Sequence, residues 1–227
     1  LSQLGPGVSW IDVDADGDDD LVVPDGAGGE LAWYRNDPRG WARVSLGVPA
    51  GELDFTMALG FPAPQGTGLL VGRSTYRVKT MARAFELAPV AHLVLSPSGG
   101  RRELLAAIGP DTASVGPMAL ADVDGASDLD LFVGNRVTPG TYPVPPSSHL
   151  YLNQNGRFAR DPSNEAALRL VGLVSGAVFT DADGDGQPDL VLATEWGPLK
   201  LLRNDRGRFF DVTGQWGLAG FLGGWKG

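Results

Sequence analysis

Three aspartate-rich segments of nine residues, each followed directly by an apolar run, constrain the fold of this 227-residue chain more than any other feature. They span residues 12–20, 122–130 and 181–189 and contain 6, 4 and 4 Asp respectively, but no Lys or Arg. The runs that follow them, such as 21–23 (Leu-Val-Val) and 190–192 (Leu-Val-Leu), have the composition of strands. Each acidic segment is therefore predicted to be a loop that opens onto a strand.

The acidic segments also account for the acidity of the whole chain. The formal net charge is −9, from 27 acidic and 18 basic residues, and the three segments hold 14 of the acids. The remainder has 13 acids against 18 bases, a balance of +5. Because the sequence lacks the clustered Lys and Arg of nucleic-acid-binding and membrane-surface proteins, we expect no nucleic-acid partner. No apolar stretch approaches the ~20 residues that span a bilayer, so no membrane insertion is expected.

The spacing of the carboxylates within a loop indicates a metal site. In the first and third segments Asp occupies loop positions 1, 3, 5 and 9, a glycine occupies position 6, and position 7 can turn its backbone carbonyl inward. Oxygen donors gathered in this way are typical of Ca²⁺ sites, and packed carboxylates without a cation would repel one another. We predict two Ca²⁺ sites, with Asp18 and Gln187 binding through the backbone carbonyl. Their ligands are Asp12, Asp14, Asp16, Asp18 and Asp20, and Asp181, Asp183, Asp185, Gln187 and Asp189.

The middle segment has one carboxylate fewer at the expected positions. Asp122, Asp124 and Asp130 occupy positions 1, 3 and 9, but position 5 is Ala126. Asp128 stands at position 7, where a backbone carbonyl is usual. Since calcium affinity follows the number of charged ligands, these four aspartates are predicted to form a third, weaker site.

Two other calcium-binding architectures do not fit the sequence. An EF-hand loop requires a bidentate Glu at position 12 and flanking helices, but position 12 is Val23 in the first segment and Leu192 in the third. The nine-residue calcium repeat of β-helices recurs in tandem, whereas these segments begin 110 and 59 residues apart.

The first interval is close to twice the second, which predicts a hidden repeat between the first two segments. Residues 57–72 align without a gap with residues 119–134, with Gly60 opposite Asp122 and Gly68 opposite Asp130. The following strand survives there and every metal ligand is lost. Four units then begin near residues 8, 56, 118 and 177, and the last unit shows the pattern of four antiparallel strands, which is a β-propeller blade. We predict an all-β chain, one propeller segment over residues 1–227, in which residues 214–227 lead into a further blade.

The loop Asp-x-Asp-x-Asp-Gly-x-x-Asp-Leu, the strand after it and residues 201–209 (Leu-Leu-Arg-Asn-Asp-Arg-Gly-Arg-Phe) resemble FG-GAP/VCBS repeats. These are the calcium-loop blades of integrin α-subunit propellers and of many large bacterial extracellular proteins. Residues 132–146 and 193–198 resemble bacterial members related to the cartilage acidic protein group. The resemblance covers three of the four units. It implies a secreted or surface-exposed, calcium-stabilised propeller, although the N-terminus of this sequence shows no signal peptide.

Catalysis has little support in the sequence. There is no cysteine, and His92 and His149 lie in no recognisable motif. No serine stands in a Gly-x-Ser-x-Gly elbow, and no pattern pairs two glutamates as a glycosidase requires. We therefore expect a non-catalytic module for ligand binding, adhesion or structural support. The alternative is the propeller domain of a polysaccharide-active lyase or hydrolase.

The sequence leaves the assembly and the partner open. Four such blades rarely close alone, because an open sheet edge presents unpaired backbone groups. We expect either a segment of a longer propeller or two copies that complete a ring of about eight blades. The ligand is a protein or a glycan, which the residues do not distinguish.

Three local features also have two interpretations each. Residues 139–146 contain four prolines and form either a recognition loop or a rigid structural insert. Residues 73–90 mix helical and strand-like spacing. The tryptophans either stack on sugars or pack between blades. They are Trp10, Trp33, Trp41, Trp196, Trp216 and Trp225.

Overall fold

The chain divides into two compact units, Leu1–Ser114 and Val115–Gly227, in a computed structural model that describes residues 7–63, 66–95, 101–106, 108–109 and 111–221. The described residues form four antiparallel sheets of four strands each. In every sheet, strands that follow one another in sequence are hydrogen-bonded neighbours. This up-and-down order is that of a propeller blade.

The first unit contains two blades. The first blade comprises β1 (Ser9–Ile11), β2 (Asp20–Val23), β3 (Glu30–Asp37) and β4 (Gly40–Pro49). The second comprises β5 (Asp54–Ala63), β6 (Gly66–Ser74), β7 (Val90–Leu95) and β8 (Arg101–Ala106). Inward-facing apolar side chains of both blades, among them Trp33 and Phe55, form one buried core cluster.

The second unit repeats this arrangement. Its first blade comprises β9 (Ser114–Ala121), β10 (Asp130–Val137), β11 (His149–Gln154) and β12 (Arg157–Arg160). Its second comprises β13 (Leu173–Thr180), β14 (Asp189–Glu195), β15 (Lys200–Asp205) and β16 (Arg208–Asp211). Phe132 and Leu150 of one blade pack with Leu190 and Leu202 of the other in a second core cluster.

Helix is scarce in the described part of the chain. α1 (Met81–Glu86) lies between β6 and β7, and its N-terminus is capped by Thr80, whose Oγ1 accepts a hydrogen bond from the Arg83 amide at 3.2 Å. α2 (Glu165–Leu168) precedes β13, and a short 3-10 helix spans Leu218–Gly220. None of these helices has the length and apolar character needed to cross a bilayer.

The predicted fold class is confirmed: the chain is all-β and built of four-stranded blades. The first strands begin at residues 9, 54, 114 and 173, within four residues of the predicted starts. The ambiguous segment 73–90 contains the end of a strand, a turn and α1. Residues 222–227 of the predicted lead-in lie outside the described residues, and 214–221 form turns and the 3-10 helix. That the whole chain is one propeller segment stays a prediction.

The second blade shows what replaces an acidic loop. There β5 and β6 run on as a hairpin in which Gly60 pairs with Leu69 and Phe61 pairs with Gly68. A Cβ at Gly60 would lie 1.5 Å from Ile11 Cδ1, and one at Gly68 would lie 2.5 Å from the Phe61 ring. Ile11 and Phe61 thus fill the space that side chains at these two positions would occupy, which agrees with the predicted loss of every ligand in this unit.

Candidate metal centres

Each acidic segment forms the loop between the first and second strands of its blade; we call them loop 1 (residues 12–20), loop 2 (122–130) and loop 3 (181–189). In all three, carboxylate oxygens from positions 1, 3 and 9 lie within 4.8 Å of one another. The clusters are Asp12, Asp14 and Asp20; Asp122, Asp124 and Asp130; and Asp181, Asp183 and Asp189. Loop 2 thus gathers the same three carboxylates as the loops with the complete motif.

The aspartate at position 9 is fixed by backbone amides from two directions. Asp20, Asp130 and Asp189 are at most 1% exposed. Their Oδ2 atoms accept hydrogen bonds from the amides at position 2 of the same loop, at 3.0, 3.0 and 2.9 Å. Their Oδ1 atoms each accept one, at 2.8 Å, from the amide of an asparagine on the third strand of the blade. These carboxylates are oriented before any cation binds.

The aspartate at position 1 is the centre around which the loop folds. Asp181 Oδ1 accepts from the Gly184 amide at 2.7 Å, and its Oδ2 accepts from the Gly186 amide at 2.9 Å. Asp122 accepts from the same two positions, 4 and 6, of loop 2, whereas Asp12 accepts from the amides at positions 5 and 6 of loop 1.

Positions 4 and 6 turn the backbone through the left-handed region. In loop 3 both are glycines, Gly184 and Gly186, with φ of 80° and 87°. Loops 1 and 2 instead place Ala15 (φ 61°) and Ser127 (φ 69°) at one of the two positions, where a Cβ is strained. The sequence motif identified the turn at position 6 but missed the one at position 4, because loop 1 has alanine there, a residue that rarely adopts this conformation.

Positions 5 and 7 lie outside the three-carboxylate clusters. Asp16 and Asp185 each accept a hydrogen bond from the amide at position 7, at 3.1 and 2.9 Å. The Gln187 side chain donates to Asp185 Oδ2 at 3.0 Å and accepts from the Arg206 amide at 2.6 Å. That position 5 binds a cation through its side chain, and position 7 through its backbone carbonyl in loops 1 and 3, stays a prediction.

The crowded carboxylates have the electrostatics of a cation site. Burial, reinforced by Asp16 and the other loop carboxylates, raises the pKa of Asp14. Burial raises the pKa of Asp130 to about 6, even though two backbone hydrogen bonds favour its ionised form. Among the described residues, the buried atoms Asp14 Oδ1 and Asp128 Oδ1 have no hydrogen-bond partner. A divalent cation held by the clustered carboxylates would satisfy Asp14 Oδ1 and offset the repulsion, and the all-oxygen donor set fits Ca²⁺.

The sequence interpretation missed the asparagines that hold position 9. Besides donating their amides, Asn36 and Asn153 direct their Nδ2 toward the backbone carbonyl at position 8 of their loops, at 3.4 and 3.1 Å. Asn204 instead donates from Nδ2 to the carbonyl of Val123 in loop 2, at 2.9 Å. An available signal was the recurrence of Asn at 36, 153 and 204 near the end of each third strand, shortly before a glycine.

Comparisons with known proteins bear on the fold. No known family matches the sequence, and no curated protein matches it either. Among solved structures, the chain is similar to an Agrocybe aegerita lectin described as recognising non-reducing terminal N-acetylglucosamine, with 15% identity and a TM-score of 0.52. The match covers 90% of this chain and 50% of the lectin, so the chain spans half of that protein's length. The N-terminal domain of BBS1, solved in complex with ARL6, aligns with 13% identity and a TM-score of 0.42, over 90% of this chain and 68% of that one.

Proposed function

We propose that this chain is a calcium-binding, non-catalytic β-propeller segment that works outside the cell as a ligand-binding, adhesive or structural module. The observation that carries the proposal is the recurrence of one site in three blades. Each site gathers three carboxylates, of which the one at position 9 is buried and accepts hydrogen bonds from two backbone amides. Such a recurrent arrangement agrees with the resemblance to FG-GAP/VCBS repeats.

The residues that would hold Ca²⁺ are the clustered aspartates at positions 1, 3 and 9, assisted in loops 1 and 3 by positions 5 and 7. Bound Ca²⁺ would neutralise the carboxylates and tie the loop to the second strand of its blade. Because only the folded loop gathers these ligands, binding stabilises the native state. Its role is therefore structural, and the loops need supply no catalytic group.

Thermal unfolding with calcium or with a chelator tests this proposal. A dissociation constant on the order of 10⁻⁴ M, typical of extracellular modules, gives roughly 1.4 kcal/mol per site at ~1 mM free Ca²⁺. Two occupied sites then contribute about 3 kcal/mol, so EDTA should lower the melting temperature on the order of 5–10 °C. Isothermal titration calorimetry should show at least two binding events.

Single substitutions assign the effect to the loops. Asp16→Ala and Asp185→Ala should each remove part of the calcium-dependent rise in melting temperature. Asp205→Ala, at an exposed aspartate of β15 outside the loops, serves as the matched control and should preserve it. If EDTA leaves the melting temperature of the unmodified protein unchanged, the loops do not bind calcium in a way that stabilises the fold.

A further inference from the structure

A cleft of about 490 Å³ lies in the second unit, on residues that the calcium proposal does not use. One wall comes from the proline-rich connection between β10 and β11, with Tyr142, Pro143 and Pro145. The residues that lead into β13, 171–173, form a second part of the lining. The third is the end of β14 and the turn after it, residues 194–198. The volume is that of a small-molecule site.

Trp196 lines this cleft, and its side chain is held in one orientation. The residue is 64% exposed, yet its Nε1 donates a hydrogen bond to Tyr142 Oη at 2.6 Å. Its φ of 61° is unusual for a bulky residue and costs on the order of 1 kcal/mol. The turn is closed by Thr194, whose Oγ1 donates to the Pro198 carbonyl at 3.0 Å. An indole that is both exposed and held in place offers a flat apolar surface to a ligand.

Polar groups lie beside this surface. Glu195 lines the cleft and is 7% exposed, and its Oε2 lies 3.5 Å from Arg136 Nη2. That oxygen is buried, so its contact with Arg136 lies behind the surface of the cleft. Because the Tyr142 hydroxyl accepts from Trp196, its own hydrogen can be donated to a ligand. The cleft therefore offers an aromatic face and a hydroxyl donor.

We propose that this cleft binds a neutral saccharide, whose apolar ring face stacks on Trp196. Its hydroxyl groups can accept a hydrogen bond from the Tyr142 hydroxyl. A cationic ligand fits less well, because Arg136 already compensates the charge of Glu195. The inference rests on the proposed function as a non-catalytic binding module and gives that module a ligand class.

The test is an NMR titration of the unmodified chain in 1 mM CaCl₂, following the indole N–H signals. The probes are the methyl β-glycosides of glucose, galactose, mannose and N-acetylglucosamine, and cellobiose, each up to about 20 mM to detect millimolar affinities. Trp196→Phe assigns the Trp196 signal. At least one sugar should shift this signal in a saturable way, and failure of all five to do so would overturn the proposal.

Variants of unchanged melting temperature separate the site from the fold. Trp196→Ala should weaken binding of the responding sugar by at least about tenfold. Tyr142→Phe, which keeps the ring but loses the hydroxyl, should weaken it less. Trp216→Ala, at an exposed tryptophan of the same unit that does not line the cleft, should leave it unchanged. Equal binding by Trp196→Ala would contradict the assignment.

Two further arms distinguish this inference from the proposed function. A proline-rich peptide is titrated in parallel, and its saturable binding at Trp196 without any sugar response overturns the saccharide assignment. If no sugar binds while calcium still raises the melting temperature, this inference fails and the calcium proposal stands. If a sugar binds at Trp196 but EDTA does not change the melting temperature, the calcium proposal fails and this inference stands.

Discussion

At the scale of single residues, Ala126 is where loop 2 differs most from loops 1 and 3. The carboxylates at position 5 of those loops, Asp16 and Asp185, accept the amide of position 7, whereas Ala126 offers no acceptor and is exposed. Three of the four carboxylates of loop 2, those at positions 1, 3 and 9, are already clustered. The middle site therefore lacks one charged oxygen donor but retains the clustered carboxylates beside which that donor would lie.

Ala126→Asp should convert loop 2 into a stronger calcium site. An added carboxylate at an exposed position costs little in packing, and it raises the charge of the ligand set. We expect a gain in affinity of about tenfold, or 1.4 kcal/mol, measured by isothermal titration calorimetry. Ala126→Asn, which supplies an oxygen without the charge, is the matched control and should give a smaller gain. An unchanged calcium affinity in Ala126→Asp would show that position 5 is not a ligand in this loop.

Single tryptophans also differ, because one is buried in a core and others are exposed. Trp33 is 2% exposed and belongs to the core of the first unit, as expected of a packing residue. Four others are between 47% and 64% exposed: Trp10, Trp41, Trp196 and Trp216. Within their own units, these indoles therefore do not pack between blades as expected. Trp225 lies outside the described residues. Sequence alone did not separate these roles, because burial depends on which strand face and which turn each indole occupies.

At the scale of elements, Asn204 links the third strand of the last blade to two loops. Its amide donates to Asp189, its Nδ2 donates to the Val123 carbonyl, and its Oδ1 accepts from the Gly207 amide at 2.8 Å. The residue is fully buried. Its side chain thus connects loop 2 of one blade with the β15–β16 turn of the next.

Asn204→Ala should destabilise the second unit by about 2–3 kcal/mol, because it leaves the buried Val123 carbonyl and the partly buried Gly207 amide without partners. The measurement is urea unfolding with calcium present. Asn153→Ala is the matched control: Asn153 makes the same kinds of hydrogen bond within its own blade, but is only partly buried, so we expect a loss of about 1 kcal/mol. Equal losses in the two variants would contradict a special role for the contact with loop 2.

The blades were predictable because two independent periodicities agree on them. Acidic loops mark the start of three units, and short alternating strands follow each loop at similar distances. Local sequence alone did not reveal the contacts that hold position 9, since Asn204 reaches Val123 across 81 residues of sequence. The cleft beside Trp196 was equally hidden, because it is assembled from the β10–β11 connection, the approach to β13 and the turn after β14.

At the scale of the whole molecule, the net charge of −9 combines two opposite contributions. The loops carry −14 and the rest of the chain carries +5. Two bound Ca²⁺ would bring the sum to −5, and three would bring it to −3. The acidity is therefore concentrated where the structure gathers carboxylates, and the stability of the metal-free protein should depend on how many of them are ionised.

In EDTA the protein should be more stable at pH 5 than at pH 7.5, the reverse of its behaviour with calcium. Asp130, with a pKa raised from 3.8 to about 6, holds its proton more tightly when folded, so the cost of ionising it is present above pH 6 and disappears between pH 6 and 4. The raised pKa of Asp14 acts in the same direction. The pKa of Glu30, Glu165 and Asp211 is lowered, so they remain ionised at pH 5 and contribute little to this difference.

Calcium should reverse this dependence because it binds ionised carboxylates, so the melting-temperature difference between calcium and EDTA should grow from pH 5 to pH 7.5. Differential scanning calorimetry at pH 5 and pH 7.5, once with calcium and once with EDTA, gives the melting temperature under all four conditions. Asp130→Asn cannot ionise and should reduce the pH dependence in EDTA. If the metal-free protein is instead less stable at pH 5 than at pH 7.5, the crowded carboxylates do not limit its stability. The free-energy cost of ionising them, which calcium is proposed to offset, would then be absent.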